Sequence, residues 1–216
     1  VPPAPALSCD DVHVRYGGIE VLHGVRLTAA YGTFSALVGP NGAGKTTLLD
    51  WCAGAATASH SSSSGRLKLD GRDATTWPVA RRASLGLRYV PFERNVFPGL
   101  SVLDNLRACD ATTAFARFPE LEPLASRSAG VLSGGERQLL AVASALFGRG
   151  RILLLDEPTH GLASPLVDRV LTELARTAHD DGRAVLIAEP QLDRVAQHAD
   201  FLWPLSRGAR LPAVGA

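Results

Sequence analysis

Cysteine is scarce in this chain: three residues in 216, Cys9, Cys52 and Cys109, lie far apart with no CxxC spacing. That excludes a zinc ribbon and argues against a disulfide framework, so a reducing compartment is expected. No stretch approaches the roughly 18 consecutive apolar residues of a membrane span. Val1-Pro2-Pro3-Ala4-Pro5 has no basic segment followed by an apolar core, so no signal peptide is expected there. Net charge is also nearly absent, with 22 basic and 21 acidic side chains leaving +1. Such a balance argues against bulk nucleic acid or an anionic membrane surface as an electrostatic partner. Lysine is the rarest charge, with only Lys45 and Lys68 beside twenty arginines. What is present, 46% hydrophobic and 20% charged residues, suits a folded domain with at most a small insertion.

Four short apolar runs read as strands buried on both faces: Phe34 to Val38, Leu85 to Val90, Ile152 to Leu155 and Ala184 to Ala188. Helical spacing fills the intervals, over Thr46 to Ala53, Glu136 to Phe147 and Leu166 to Ala178. The last is expected to start at Ser164-Pro165 as N-cap and first helical residue. Strands alternating with helices predict an α/β fold with a mainly parallel sheet. Val12 to Tyr16 and Ile19 to Leu27 alternate instead like a smaller antiparallel sheet. The serine run at 59–64 reads as a flexible surface loop. Arg81 and Arg82 read as a solvated helix face, and Cys52, Cys109, Trp51 and Trp203 as packing residues.

Gly39-Pro40-Asn41-Gly42-Ala43-Gly44-Lys45-Thr46-Thr47 matches G-x-x-x-x-G-K-[ST] between an apolar strand and a helix. Glycines let successive backbone N–H groups converge on phosphate oxygens, and the helix adds its positive end. Lys45 supplies a compact charge for the β and γ phosphates, and the Thr46 hydroxyl suits Mg²⁺. The pattern implies a nucleoside triphosphate site. Ile152-Leu153-Leu154-Leu155-Asp156-Glu157 is a strand ending in two acids, which alternation sends in different directions. At the carboxyl edge of a parallel sheet Asp156 suits Mg²⁺, and Glu157 suits a general base that polarises water.

With these in place, Leu132-Ser133-Gly134-Gly135-Glu136, ahead of Arg137-Gln138 and a helix, resembles the signature motif of ATP-binding-cassette (ABC) ATPases. The resemblance implies ATP and Mg²⁺ as ligands. It also implies that Ser133, Gly134 and Gly135 cap the γ-phosphate held by a second ATPase subunit. Tyr16, in Val14-Arg15-Tyr16-Gly17-Gly18, matches the family's adenine-stacking aromatic. Glu157-Pro158-Thr159-His160-Gly161-Leu162 follows the family too, with His160 a candidate contact to a dimer partner. The wording of Tyr89-Val90-Pro91, Asn95 to Val102 and Asp104-Asn105-Leu106 is similar to ATPase subunits of branched-chain amino acid importers.

The fold so implied is a P-loop NTPase core over about 1–97 and 150–216, with a small antiparallel N-terminal β-subdomain. A reduced helical subdomain occupies about 98–149; its stretch 107–131 is shorter than in relatives and is expected to hold one or two helices. The implied partners are integral membrane permease subunits, an identical or different second ATPase, and indirectly a solute-binding protein, but no nucleic acid. The implied place is the cytoplasmic face of the plasma membrane. A soluble ABC ATPase of repair or translation is disfavoured, because such proteins carry tandem cassettes or long inserts.

Three positions depart from the family pattern. Phe92 stands where the family has a Gln that helps ligate Mg²⁺, orients water and reports to the membrane subunit; a phenyl ring can do none of these. Ala163 replaces an Asp, and Pro190, followed by Gln191, stands where many relatives place a γ-phosphate-sensing His. The expectation is intact nucleotide binding with slowed hydrolysis. The alternative is a weakened regulatory subunit whose signature completes a partner's site.

Overall fold

The computed structural model describes residues 5–55, 61–93 and 95–210. Two sheets form along the predicted lines. The long strands β1 (Pro5–Tyr16) and β2 (Ile19–Ala30) pair antiparallel. With β4 (Ser61–Leu69) and β5 (Arg72–Asp73) they make a sheet ordered β2-β1-β4-β5. The larger sheet has the order β10-β9-β3-β8-β7-β6. Its members are β3 (Thr33–Val38), β6 (Leu87–Val90), β7 (Ile152–Asp156), β8 (Ala184–Glu189), β9 (Phe201–Ser206) and β10 (Ala209–Arg210). All neighbours in it are parallel except the β9–β10 hairpin.

Every residue of β3, β7 and β8 is buried, because both faces of the sheet are covered. Alternation splits the strand side chains between two apolar clusters. Phe34, Ala36, Val38, Leu153 and Leu155 pack against α5 (Gly134–Phe147) and α6 (Ser164–His179). Leu37, Leu154 and Leu186 face α1 (Lys45–Ala53) and the smaller sheet's Leu7, Leu22 and Leu67. The first cluster also takes in Leu106 of α3 (Val102–Ala108), Ala114 of α4 (Ala114–Arg117) and Phe118 and Leu121. Within 107–131 the chain forms α4 and two 3-10 turns, Pro119–Leu124 and Ala129–Val131.

Several expectations need correction. Ser61 to Ser64 lie in β4, opposite Tyr16, Arg15, Val14 and His13 of β1, so this part of the serine run is strand. Backbone pairing decides there over serine's weak strand propensity; residues 59 and 60 fall outside the described residues. The run at Leu85 becomes strand only from Leu87, because Gly86 takes a turn with φ 91°. Helix α6 starts at Ser164 with Ala163 as N-cap, so Pro165 is its second residue. Arg82, on α2 (Val79–Ser84), is no solvated side chain: it is 5% exposed. Its guanidinium donates to the carbonyls of Trp51 and Cys52, at the end of α1, and to those of Thr75 and Trp77. Arg81 does remain outside, with its guanidinium 4.1 Å from the Trp77 ring centre.

Candidate functional site

The parallel register brings the candidate residues to one edge. Val38 of β3 lies beside Glu189 of β8, and Asp156 of β7 lies beside Ala188. The phosphate loop leaves β3 immediately after Val38, so loop and acids share the carboxyl end of three adjacent strands. This is where open α/β sheets place their ligands. A cavity of about 200 Å³ opens there, lined by Gly42, Gly44, Lys45, Thr46, Thr47 and Glu157 among others.

The loop is held open by glycine. Gly42 and Gly44 have φ of 79° and 99°, and a Cβ on Gly44 would lie 2.7 Å from Leu22 Cδ2. On Gly39 a Cβ would meet the Leu205 carbonyl at 2.1 Å, so that backbone approach admits no side chain. Gly44 is the N-cap of α1 and no side chain bonds the helix's first N–H groups, which leaves them to an anion. Lys45, 5% exposed, donates to the carbonyls of Gly39 at 2.8 Å and Pro40 at 3.2 Å. Burial lowers its pKa against the opposing pull of Glu157, Asp156 and Glu189.

Asp156 is fully buried and neither carboxylate oxygen has a hydrogen-bond partner of normal geometry. Desolvation raises its pKa to about 6, while the nearby Thr46 hydroxyl draws it partly back. A buried, unpartnered carboxylate is costly unless something pairs with it. A Mg²⁺ ion shared with Thr46 would supply that partner, so the donors fit the metal, as the glycine cradle fits a triphosphate. Such an ion would neutralise charge between the β and γ phosphates.

Glu157 takes the left-handed backbone region at φ 46°, a conformation costing a non-glycine residue about 1–3 kcal/mol. Three hydrogen bonds hold it there. Its N–H donates to the Ala188 carbonyl at 2.8 Å, and its carbonyl accepts from His160 N–H at 3.0 Å and from Gln138 Nε2 at 3.1 Å. Glu157 lines the phosphate cavity, and His160 Nδ1 lies 3.6 Å from its Oε2. Below it, Thr159 donates from N–H and hydroxyl to the buried Glu189 carboxylate at 3.1 and 2.8 Å. Burial raises the pKa of Glu189, and the Thr159 donors oppose that shift.

Ser133 forms a complete capping box with Glu136. Its hydroxyl accepts from Glu136 N–H at 3.2 Å, and Glu136 Oε2 accepts from Ser133 N–H at 2.7 Å. Helix α5 therefore begins two residues earlier than the apolar spacing predicts. Gly135 packs against the turn after Glu157, where an added Cβ would lie 2.7 Å from the Gly161 carbonyl oxygen. Within this chain Ser133, Gly134 and Gly135 do not line the phosphate cavity, and neither does Tyr16, at the end of β1.

At the altered positions, Phe92 is 38% exposed and meets the His160 ring edge-on, 4.9 Å between centres. Ala163 caps α6 without a side-chain bond. Pro190 follows β8, and Gln191 is the N-cap of α7 (Leu192–Val195). Sequence reasoning passed over Gln138 and Glu189, which bond the turn around Glu157, and Asn95, which bonds Gln138. The one available signal was a polar residue, Gln138, set among the apolar positions of a helix.

The described residues contain no helix long and apolar enough to cross a membrane. The family model for ABC transporters matches residues 22–160. A probable branched-chain amino acid transport ATP-binding protein of Archaeoglobus fulgidus is 34% identical, covering 91% of this chain and 86% of its own length. A high-affinity branched-chain amino acid transport ATP-binding protein of Pseudomonas aeruginosa is 32% identical, over 94% and 89%. A hemin import ATP-binding protein of Pseudomonas entomophila is 35% identical, over 94% and 84%. In fold, a nucleotide-free ATP-binding cassette from an ABC transporter superposes with a TM-score of 0.81 at 24% identity, covering 96% of this chain and 90% of that one. The matched family model and these full-length relatives agree with a phosphate loop facing an Asp-Glu pair across a parallel sheet edge: the chain belongs to the ABC transporter family, as one of its ATP-binding ATPase subunits.

Proposed function

We propose that this chain is the ATP-binding subunit of an importer for branched-chain amino acids or similar small solutes, with a slowed phosphate site of its own. It binds ATP through Gly39 to Thr47, with Tyr16 on the adenine, Mg²⁺ on Thr46 and Asp156, and Glu157 as the base that polarises water. Its helical stretch at about 98–149 faces permease subunits at the inner face of the plasma membrane, with a solute-binding protein delivering cargo to them. Ser133, Gly134 and Gly135 complete the site of a second ATPase subunit. The names of the Archaeoglobus and Pseudomonas aeruginosa relatives support the solute class.

The observation that carries the slowed site is Phe92, set against His160 beside Glu157, where a polar side chain would be needed to hold water or metal. Losing one positioned polar group commonly lowers a rate by about 10²–10³-fold. The test is ATP turnover of the complex reconstituted with its partner ATPase and permease. Ser133→Arg is expected to abolish most turnover by spoiling the partner's site, whereas Glu157→Gln removes only the minor share. Equal loss from both substitutions refutes the asymmetry. Tight ATP binding with no turnover in the mixed complex would instead favour the regulatory reading, which Phe92, Ala163 and Pro190 together support.

A further inference from the structure

Three groups from three separate segments meet behind Glu157. The Glu157 carbonyl, after β7, accepts from Gln138 Nε2 on α5 at 3.1 Å. The other end of that amide, Gln138 Oε1, accepts from Asn95 Nδ2 at 2.9 Å. Asn95 lies in the loop after β6, three residues beyond Phe92. Gln138 is 6% exposed, so its amide has little recourse to water. Polarity fixes every orientation. A backbone carbonyl can only accept, so Gln138 must offer it the NH₂ group, which turns Oε1 towards Asn95 and demands a donor there.

We propose that Asn95 and Gln138 are positioning residues, a relay that holds the Glu157 backbone in its left-handed conformation. The loop following Phe92 thereby gains mechanical access to the catalytic carboxylate. The backbone conformation is one that a non-glycine residue leaves unless its surroundings over-determine it. Of its three hydrogen bonds, only the one from Gln138 comes from a side chain and from outside the β7–β8 edge and its turn. Phe92 touches the turn with its ring against His160 but cannot form a polar link of this kind, so among the described residues of that loop Asn95 is the one hydrogen-bonded towards the turn, by way of Gln138. Asn95 has no hydrogen bond to the turn itself, and its influence must pass through Gln138. The turnover arm of the test rests on Glu157 acting as the base; the structural arm does not.

The test uses the full chain without nucleotide, with backbone hydrogen exchange followed over the turn 157–163. Gln138→Glu is nearly isosteric but sets an acceptor against the Glu157 carbonyl. Asn95→Asp sets an acceptor against Gln138 Oε1, and Asn95→Ala, on the half-buried loop, keeps the test open should Gln138→Glu fail to fold. Each is expected to speed exchange of the His160 and Leu162 amides about tenfold, as loss of a buried hydrogen bond does, while Val185 to Ile187 stay protected. Turnover, measured in the reconstituted complex, is expected to fall with the KM for ATP unchanged. In a Glu157→Gln background the same variants should lower turnover no further. Loosening by Gln138→Glu but not by either Asn95 variant overturns the relay. Unchanged exchange in all three overturns it as well. Loosening in all three, with no turnover at this chain's own site even in wild type, upholds the relay and removes the slow-hydrolysis reading instead.

Discussion

Asp156→Asn should make the nucleotide-free protein more stable and, with Mg²⁺ on Asp156 as proposed, should weaken the magnesium dependence of ATP binding. Asp156 is fully buried, neither oxygen has a regular hydrogen-bond partner, and desolvation lifts its pKa from 3.8 to about 6. Holding a carboxylate in that state costs the folded protein about 3 kcal/mol at neutral pH, at 1.36 kcal/mol per pKa unit. The sign follows from linkage. Below about pH 4 the side chain is protonated both folded and unfolded, and the penalty is absent. It enters as the unfolded chain ionises and is complete once pH exceeds the folded value of about 6. Asparagine keeps the shape without the charge. Thermal unfolding followed by circular dichroism, free of nucleotide, should therefore give the variant a midpoint higher by up to about 6–12 °C at pH 7.5. That advantage should shrink to roughly half by pH 5. Adding ATP with Mg²⁺ should raise the wild-type midpoint more than ATP with a chelator, and the variant should lose that difference. A variant no more stable than wild type at pH 7.5, or an advantage equal at both pH values, would refute the reading of Asp156 as an unpaired buried charge awaiting a metal.

Two further pairs of substitutions probe the supports of the fold around the site. Gly135→Ala places a Cβ 2.7 Å from the Gly161 carbonyl oxygen, so it should destabilise by about 1–3 kcal/mol despite alanine's better helix propensity. Gly134→Ala, with nothing within 4 Å, should leave the urea midpoint unchanged or raised, and equal effects at both glycines would contradict the packing. Arg82→Met removes donors to four carbonyls, two of them at the end of α1. It should cost about 3 kcal/mol or more in denaturant unfolding, whereas Arg81→Met should change little.

The parts of the fold legible in the sequence are those where a local pattern and the tertiary outcome agree. Charge-free runs such as Ile152 to Leu155 became strands covered on both faces, and G-x-x-x-x-G-K-[ST] became a loop between strand and helix. What escaped depends on partners distant in sequence. Ser61 to Ser64 have no strand pattern of their own and become strand by pairing with β1 residues 45 to 51 positions upstream. The burial of Arg82 follows from the carbonyls at the end of α1, 30 and 31 residues away, which no local window contains. The site divides the same way. Lys45, Asp156 and Glu157 are announced by motifs, whereas Gln138 is recognisable as part of the site only once α5 lies against the turn after β7.

The helical stretch at about 98–149 is tied to the rest of the fold on several sides. Phe118 and Leu121 are fully buried, in the same cluster as Phe34 and Leu153 of the sheet, so the stretch has no core of its own. Two ion pairs add to that attachment across α6: Arg117 to Glu173, and Arg169 to Glu120 at 2.5 Å. The first is partly shielded, since the Glu173 side chain is only 9% exposed, and it carries more weight than the open second pair. On the other side, buried Asn105 of α3 ties down the preceding loop, accepting from Phe97 N–H and donating to the Phe97 and Ser101 carbonyls. The stretch is therefore joined to the sheet by shared apolar packing, to α6 by charge, and to the Glu157 turn through Asn95 and Gln138. The loop at 95–101 is held at both Asn95 and Phe97, and its link to the Glu157 backbone is made of two side-chain amides.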